Sequence, residues 1–430
     1  MNDDSLEHIN RIKDSIQSFY GSVNFKKSSS KTTPTIDKIR LHESTINANS
    51  ASALIESVLR SQITMGQNNK IYENRFAAYL GSPHVLSCNS GSSANLLIIF
   101  SLIESGMLQK GDRVIVPALS WSTTIFPLLQ AGLIPVILDQ SNQDFNIDLN
   151  MVDDQARRHD IKAIMLIHTY GCPVNMDSLI NICEKHNLLL IEDTCESMGA
   201  RWGEQYAGTF GLASSFSTYY SHHICTLEGG LVSTNDVKLN SVMQSVRSHG
   251  WVRHLSSNDK IFQDNPDIDA GFLFNHVGFN IRLSEPQAAM GIEQLKLLDS
   301  FILQRRKIGS LYQQRLTAEL PSVRLQKVHS HAYHSYFGFP ILFTSGLDVA
   351  QYKFIRGYLL DHGIESRPFL AGNFINQPVM RSLNFEKPYS CNVADNLGRS
   401  AIAIPCHQSI STQQANHIVD TLVNCEKDLL

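Results

Sequence analysis

From about residue 50 onward, short apolar runs alternate with longer stretches of helical periodicity. VIVPA (114–118), IPVILD (134–139), AIMLIHT (163–169), LLLIED (188–193) and GLVST (230–234) are β-branched or leucine-rich, and several end on a polar residue. Runs of this kind are strands covered on both faces. Their alternation with helices predicts an α/β fold built on a mostly parallel sheet. In such sheets ligands gather beyond the carboxyl ends of the strands, where the polar terminal residues collect. HVLSCNSGSSANLLIIF (84–100) reads as strand, small-residue turn and helix. Leu6, Ile9, Ile12, Ile16 and Phe19 recur at helical spacing and predict a short amphipathic helix at the start. SSSKTTPT (28–35), broken by Pro34, reads as a linker. After about residue 295 the pattern changes. YFGFPILF (336–343) and a helical run over 349–361 predict a smaller C-terminal α+β domain. The expected division is a helix and linker over 1–45, a large domain over 46–295 and a smaller one over 296–430.

Composition narrows the class. A chain of 430 residues with 43% hydrophobic and 18% charged content is an ordinary globular protein with room for more than one core. A net charge of −4 offers no field for nucleic acid or anionic lipid. The apolar stretches near 96–100 and 161–167 are far too short to span a membrane. Asp3, Asp4 and Glu7, with no apolar run behind them, argue against a signal peptide, so a cytoplasmic location is expected. None of the eight cysteines forms a C-x-x-C pair, which favours buried or unpaired thiols over a zinc ribbon.

Three segments could carry chemistry. Gly91 and Ser92, within Ser90–Ser93, would open a helix with exposed N–H groups and hydroxyls, a ready phosphate site. The turn lacks both the P-loop lysine and G-x-G-x-x-G, and such a serine-rich turn also serves simply as a cap. Asp193 ends an apolar strand, where its carboxylate would pair with a cationic ring nitrogen in the crevice or with a nearby loop. Trp121, in PALSWSTT, follows another strand end and would stack on a flat ligand or fill core. In SSFSTYYSHHICTLEGGLVST (214–234), His222 and His223 precede Glu228-Gly229-Gly230. Adjacent residues of extended chain face opposite ways and no other ligand set accompanies them, so one histidine is expected to be functional, the other structural, and no metal is expected.

Taken in order, the serine turn, the aromatic strand end, IED and F-S-x-x-x-S-(Lys or His)-x-I-x-x-x-E-G-G resemble the DegT/DnrJ/EryC1/StrS sugar aminotransferases over roughly residues 45–430. GFNIRLSEPQAAMGIEQL (278–295) and HGIESRPFLAGNF (362–374) extend the likeness. The resemblance implies a fold-type I PLP-dependent transferase, aspartate aminotransferase-like. Ordinary members carry the Schiff-base lysine where this chain has His222. In that respect STYYSHHICTLEGG is similar to the 4-keto-6-deoxyhexose 3-dehydratase subgroup, which uses pyridoxamine phosphate and a histidine. One type in that subgroup holds an iron–sulfur cluster on four cysteines. Here no cysteine lies between Cys225 and Cys391, so no cluster is expected.

The resemblance therefore implies loss of the C3 hydroxyl from a nucleotide-linked 4-keto-6-deoxyhexose. GDP-4-keto-6-deoxy-D-mannose, on the way to colitose, is the expected substrate. Glutamate would regenerate pyridoxamine 5'-phosphate from pyridoxal 5'-phosphate, in a homodimer with shared sites. By the same likeness Gly91, Ser92 and Ser217 would meet the cofactor phosphate and Trp121 would stack on its ring. Asp193 would keep the ring nitrogen protonated, and Glu196 would sit near the 3-hydroxyl. Asn280 would reach the phosphate from the neighbouring subunit, and Arg367 would hold the sugar nucleotide. Imidazole cannot form the lysine's covalent link, yet its pKa near ~6.5 suits His222 to proton abstraction. His223 is expected to be structural. A sugar aminotransferase that tolerates histidine at 222 is opposed by the missing lysine. A non-catalytic B6-binding regulator is opposed by retention of Asp193, Trp121 and Ser217.

Overall fold

The computed structural model describes residues 3–22 and 38–429; the linker expected at 28–35 lies outside them. Seven strands form the main sheet, in the order His84–Cys88, Gly230–Thr234, Ala213–Ser217, Leu189–Asp193, Ile161–Ile167, Arg113–Pro117, Ile134–Leu138. The last five run parallel, as the unbroken apolar runs require. Gly230–Thr234 is antiparallel to both of its neighbours. Ala213–Ser217 is a strand that no apolar run announced. Its sequence is ASSFS, and all five residues are buried. It tolerates that polarity because its hydroxyls are paired internally: Ser214 Oγ donates to Gly208 O at 2.7 Å and lies 2.8 Å from Ser233 Oγ.

The parallel strands bring Pro117, Ile167, Asp193 and Ser217 to one edge. His84–Cys88, two antiparallel steps from Ala213–Ser217, points the same way and delivers the turn before helix Gly91–Glu104 to that edge. This helix packs between the sheet and helix Val237–Arg247, with Leu97, Ile98, Ile99 and Leu102 fully buried. Being covered on opposite sides, it is apolar around most of its circumference.

A second, antiparallel sheet runs Val323–Leu325, Phe339–Phe343, Ala401–Ile404, Arg367–Pro368. Its core joins Ile341, Ile402 and Ile404 to Ile308, Leu359 and Ile418, from helices Leu298–Glu319, Val349–Asp361 and Thr412–Leu429. The helix expected over 349–361 is present. The strand expected over 336–343 is shorter, because residues 336–338 are used to turn the chain, with Tyr336 at φ +48°. At the other end of the chain, helix Asp3–Ser22 lies against helix Ala48–Leu59, burying Ile9 and pairing Lys13 with Glu56 at 2.8 Å.

The two sheets share a core, in which Phe369, Leu397 and Ala401 pack with Leu119, Leu128 and Ile137. Asp139, 2% exposed just past strand Ile134–Leu138, accepts from Val393 N at 2.9 Å and Ala394 N at 2.8 Å, capping helix Asn392–Ser400. Removing this carboxylate strands two buried donors. Asp139→Ala should therefore lower stability by about 2–3 kcal/mol, read as a lower urea midpoint, while Asp139→Asn should lose less because its carbonyl still accepts.

Candidate active site

A cavity of about 470 Å³ opens at the carboxyl edge of the main sheet. Gly91, Ser92, Trp121, Asp193, Glu196, Ser217, His222 and Arg367 all line it. Asn280 does not. It is exposed on the chain before helix Glu285–Leu295, where its Oδ1 accepts from Arg282 Nε at 2.9 Å.

One end of the cavity is built to receive an anion. Ser90 caps helix Gly91–Glu104, its Oγ accepting from Ser93 N at 3.0 Å. The N–H groups of Gly91 and Ser92, first in the helix, have no intrahelical acceptor. Glycine at 91 follows from close approach: a Cβ there would lie 2.7 Å from Ser217 Cβ and 2.9 Å from Cys195 Sγ.

Asp193 lines the same cavity. Its Oδ2 accepts from Asn95 Nδ2 and Thr124 Oγ1, both at 2.8 Å, and its Oδ1 from Cys195 N at 3.2 Å. Asn95 is itself held, its Oδ1 accepting from Ser215 Oγ at 2.5 Å. No lysine, arginine or histidine nitrogen lies within 4.0 Å of Asp193 among the described residues. Trp121, at the start of helix Ser122–Gln130, also lines the cavity and is 58% exposed.

His222 and His223 lie in a bend rather than in extended chain, which corrects the geometric premise of the sequence reading. The two rings nevertheless differ in environment. His222 faces the cavity, with Nδ1 2.7 Å from the Cys195 carbonyl. A carbonyl only accepts, so Nδ1 carries the hydrogen and Nε2 keeps its lone pair. Burial pushes the His222 pKa down to about 4; the Cys195 bond opposes this and Arg367 adds to it. His222 is therefore a neutral proton acceptor at physiological pH. His223 is fully buried, with Nε2 3.2 Å from Ser335 O, and lies outside the cavity lining.

Burial also pushes Glu196 up to about 7, opposed by Arg367, whose Nη2 lies 4.0 Å from Glu196 Oε1. The Arg367 guanidinium is flanked by the rings of Tyr170 at 5.3 Å and Phe337 at 5.2 Å. Sequence reasoning missed Asn95, Thr124, Ser215 and Phe337. Asn95 was within reach, since it stands four residues after Gly91 and so on the same helix face. Phe337 was not, because only the tertiary fold brings residue 337 against His222.

The donor set fits a phosphorylated, cationic aromatic ring: the cavity brings together N–H groups at a helix start, an exposed indole, and a buried carboxylate with no lysine, arginine or histidine nitrogen within 4.0 Å among the described residues. Gly91→Ala should weaken pyridoxal phosphate binding by roughly tenfold or more, because the methyl must displace Ser217 or Cys195. Quenching of tryptophan fluorescence during titration measures this.

The chain matches the DegT/DnrJ/EryC1/StrS aminotransferase family over residues 45–423. It is 35% identical over 387 residues to GDP-4-keto-6-deoxy-D-mannose 3-dehydratase of Yersinia pseudotuberculosis, covering 89% of this chain and 97% of the relative. Among solved structures, E. coli GDP-4-keto-6-deoxy-D-mannose-3-dehydratase with bound hydrated PLP superposes with a TM-score of 0.84 at 34% identity, over 90% of this chain and 100% of that one. GDP-4-keto-6-deoxymannose-3-dehydratase with a trapped PLP-glutamate geminal diamine gives 0.83 at 34% identity, over 89% and 99%. Likeness along most of the sequence, together with the shared aminotransferase fold, has one conclusion: this chain belongs to the DegT/DnrJ/EryC1/StrS aminotransferase family.

Proposed function

We propose that this protein is a pyridoxamine phosphate-dependent 3-dehydratase. Its substrate is a nucleotide-linked 4-keto-6-deoxyhexose, GDP-4-keto-6-deoxy-D-mannose, and its product a 4-keto-3,6-dideoxy sugar for dideoxyhexose (colitose) biosynthesis. The observation that carries this reading is His222: a neutral imidazole whose Nδ1 is bonded to the Cys195 carbonyl, in a cavity whose lining includes no lysine among the described residues. The similarity to 3-dehydratases of this substrate supports it.

When bound, the cofactor supplies an amine for the C4 ketone and an electron sink that lets the C3 hydroxyl leave. The protein's part is to hold, orient and move a proton. Gly91 and Ser92 N–H groups and the Ser217 hydroxyl would hold the phosphate, Trp121 would cover the ring, and Glu196 would lie near the 3-hydroxyl. Asp193 would keep the ring nitrogen protonated, a role open to a buried carboxylate with no lysine, arginine or histidine nitrogen within 4.0 Å among the described residues. His222 Nε2 accepts the proton from the cofactor's C4′ carbon. Arg367 holds the sugar nucleotide. Asn280, exposed and outside its own chain's cavity, serves the phosphate of a second copy in a homodimer. Glutamate as amino donor draws support from the PLP-glutamate species trapped in the related dehydratase. No helix among the described residues is long and apolar enough to cross a membrane, in keeping with a cytoplasmic enzyme.

Borohydride reduction of the loaded protein should leave no cofactor attached to the chain. A cofactor-labelled lysine in the peptide map would refute the mechanism and favour an aminotransferase.

His222→Asn should keep the fold and cofactor binding while C3 dehydration falls by roughly 10²–10⁴-fold, followed as ammonia release. His222→Lys should instead attach pyridoxal phosphate covalently and abolish dehydration. His223→Asn should be milder; full activity in His222→Asn with loss in His223→Asn would exchange the two assignments.

A further inference from the structure

Arg305 is a buried cation that the chemistry above does not use. It projects from helix Leu298–Glu319, is 2% exposed, and has no carboxylate within 4.0 Å among the described residues. Its Nη1 donates to the carbonyls of Tyr336 at 2.9 Å, Phe337 at 3.3 Å and Cys406 at 2.8 Å, and its Nη2 to Gln408 Oε1 at 3.2 Å. Burial lowers its pKa to about 10, so it stays charged at neutral pH. A buried charge held by neutral acceptors alone is costly, and such a cost is characteristic of a functional position.

Two of those carbonyls belong to a strained turn. Tyr336 has φ +48°, a region that bulky residues avoid. Its ring lies over Gly309, where a Cβ would come within 2.6 Å, and stacks on His334 at 3.7 Å. The residues on either side support the two histidines. The Phe337 ring centroid lies 4.9 Å from that of His222, and Ser335 O receives the His223 bond.

We propose that Arg305 is a positioning residue for His222: its guanidinium anchors the carbonyls of the turn that seats Phe337 against the imidazole. The inference rests on His222 being the proton acceptor of the proposed reaction. Other titratable or charged groups surround His222: Arg367 from the second sheet, Asp193 and Glu196 past their strand, and Tyr219, His223 and Glu228 from its own loop. Burial disfavours the imidazolium most; the Cys195 carbonyl and Asp193 favour it, while Arg367 and, least of all, Arg305 add to the effect of burial.

The test reads the imidazole itself, so it stands apart from whether any sugar is dehydrated. In the full-length protein, before and after loading with pyridoxal phosphate, the pH dependence of diethyl pyrocarbonate modification is mapped to His222 by peptide mass spectrometry. Phe337→Ala removes the ring that covers His222 while leaving the clamp in place. Arg305→Lys keeps the charge but lacks the planar fork that spans the carbonyls of Tyr336, Phe337 and Cys406, and Gln408→Glu offsets the charge while leaving the clamp. The His222 midpoint should rise by ~0.5 pH unit or more in Phe337→Ala and Arg305→Lys, as the ring becomes wetter, and shift less in Gln408→Glu. A midpoint unchanged in folded Arg305→Lys or in Phe337→Ala overturns the proposal, as does a rise in Gln408→Glu equal to that in Arg305→Lys. Should Arg305→Lys fail to fold, Arg305→Gln takes its place with the same expected rise.

Discussion

Asp193 ends a five-residue strand in the middle of the main sheet, buried, and held by an asparagine amide, a threonine hydroxyl and one backbone N–H. Taking an ion out of water costs several kcal/mol, and neutral donors offset only part of that. The arrangement leaves the carboxylate open to a cationic partner, since among the described residues no lysine, arginine or histidine nitrogen lies within 4.0 Å. Much of the surrounding structure follows from this requirement. Thr124 reaches the carboxylate because the strand after which Trp121 lies runs parallel to that of Asp193. Asn95 reaches it because helix Gly91–Glu104 starts at the same sheet edge, which also fixes the distance between the carboxylate and the helix terminus.

The second sheet completes the cavity by lending Arg367, and Phe337 comes from the turn leading into it. The shared core and the Asp139 cap hold that sheet against the first. The cavity is thus assembled from Gly91, Ser92, Trp121 and Asp193 in the N-terminal half and Phe337 and Arg367 in the C-terminal half, locked together by packing. Glu196 and Arg367 meet across that junction.

Much of this was legible in the sequence because strand ends are. An apolar run that stops at Asp193, or just before Trp121, states both the strand and the position of its last side chain. The serine-rich turn at 90–93 was legible for the same reason. The strand ASSFS was not, since its buried hydroxyls are paid for by partners such as Ser233 and Gly208 that lie far off in the chain. The bend at His222 and His223 was misread as extended because nothing local marks it. Phe337 and Arg305 were out of reach because their roles arise from contacts between distant segments. Asn280 stands apart from its own chain's cavity, exposed on the chain before helix Glu285–Leu295.

The hydrogen bond between His222 Nδ1 and the Cys195 carbonyl bears on the proton transfer proposed for Nε2. In the neutral imidazole Nδ1 is already the donor, and once Nε2 takes up a proton Nδ1 is a donor still. The same bond serves both charge states, growing stronger in the charged one. Neither the ring nor the loop must rotate between accepting a proton and giving it back. Much of the reorganisation energy that a freely solvated base meets on each cycle is thus absorbed when the chain folds.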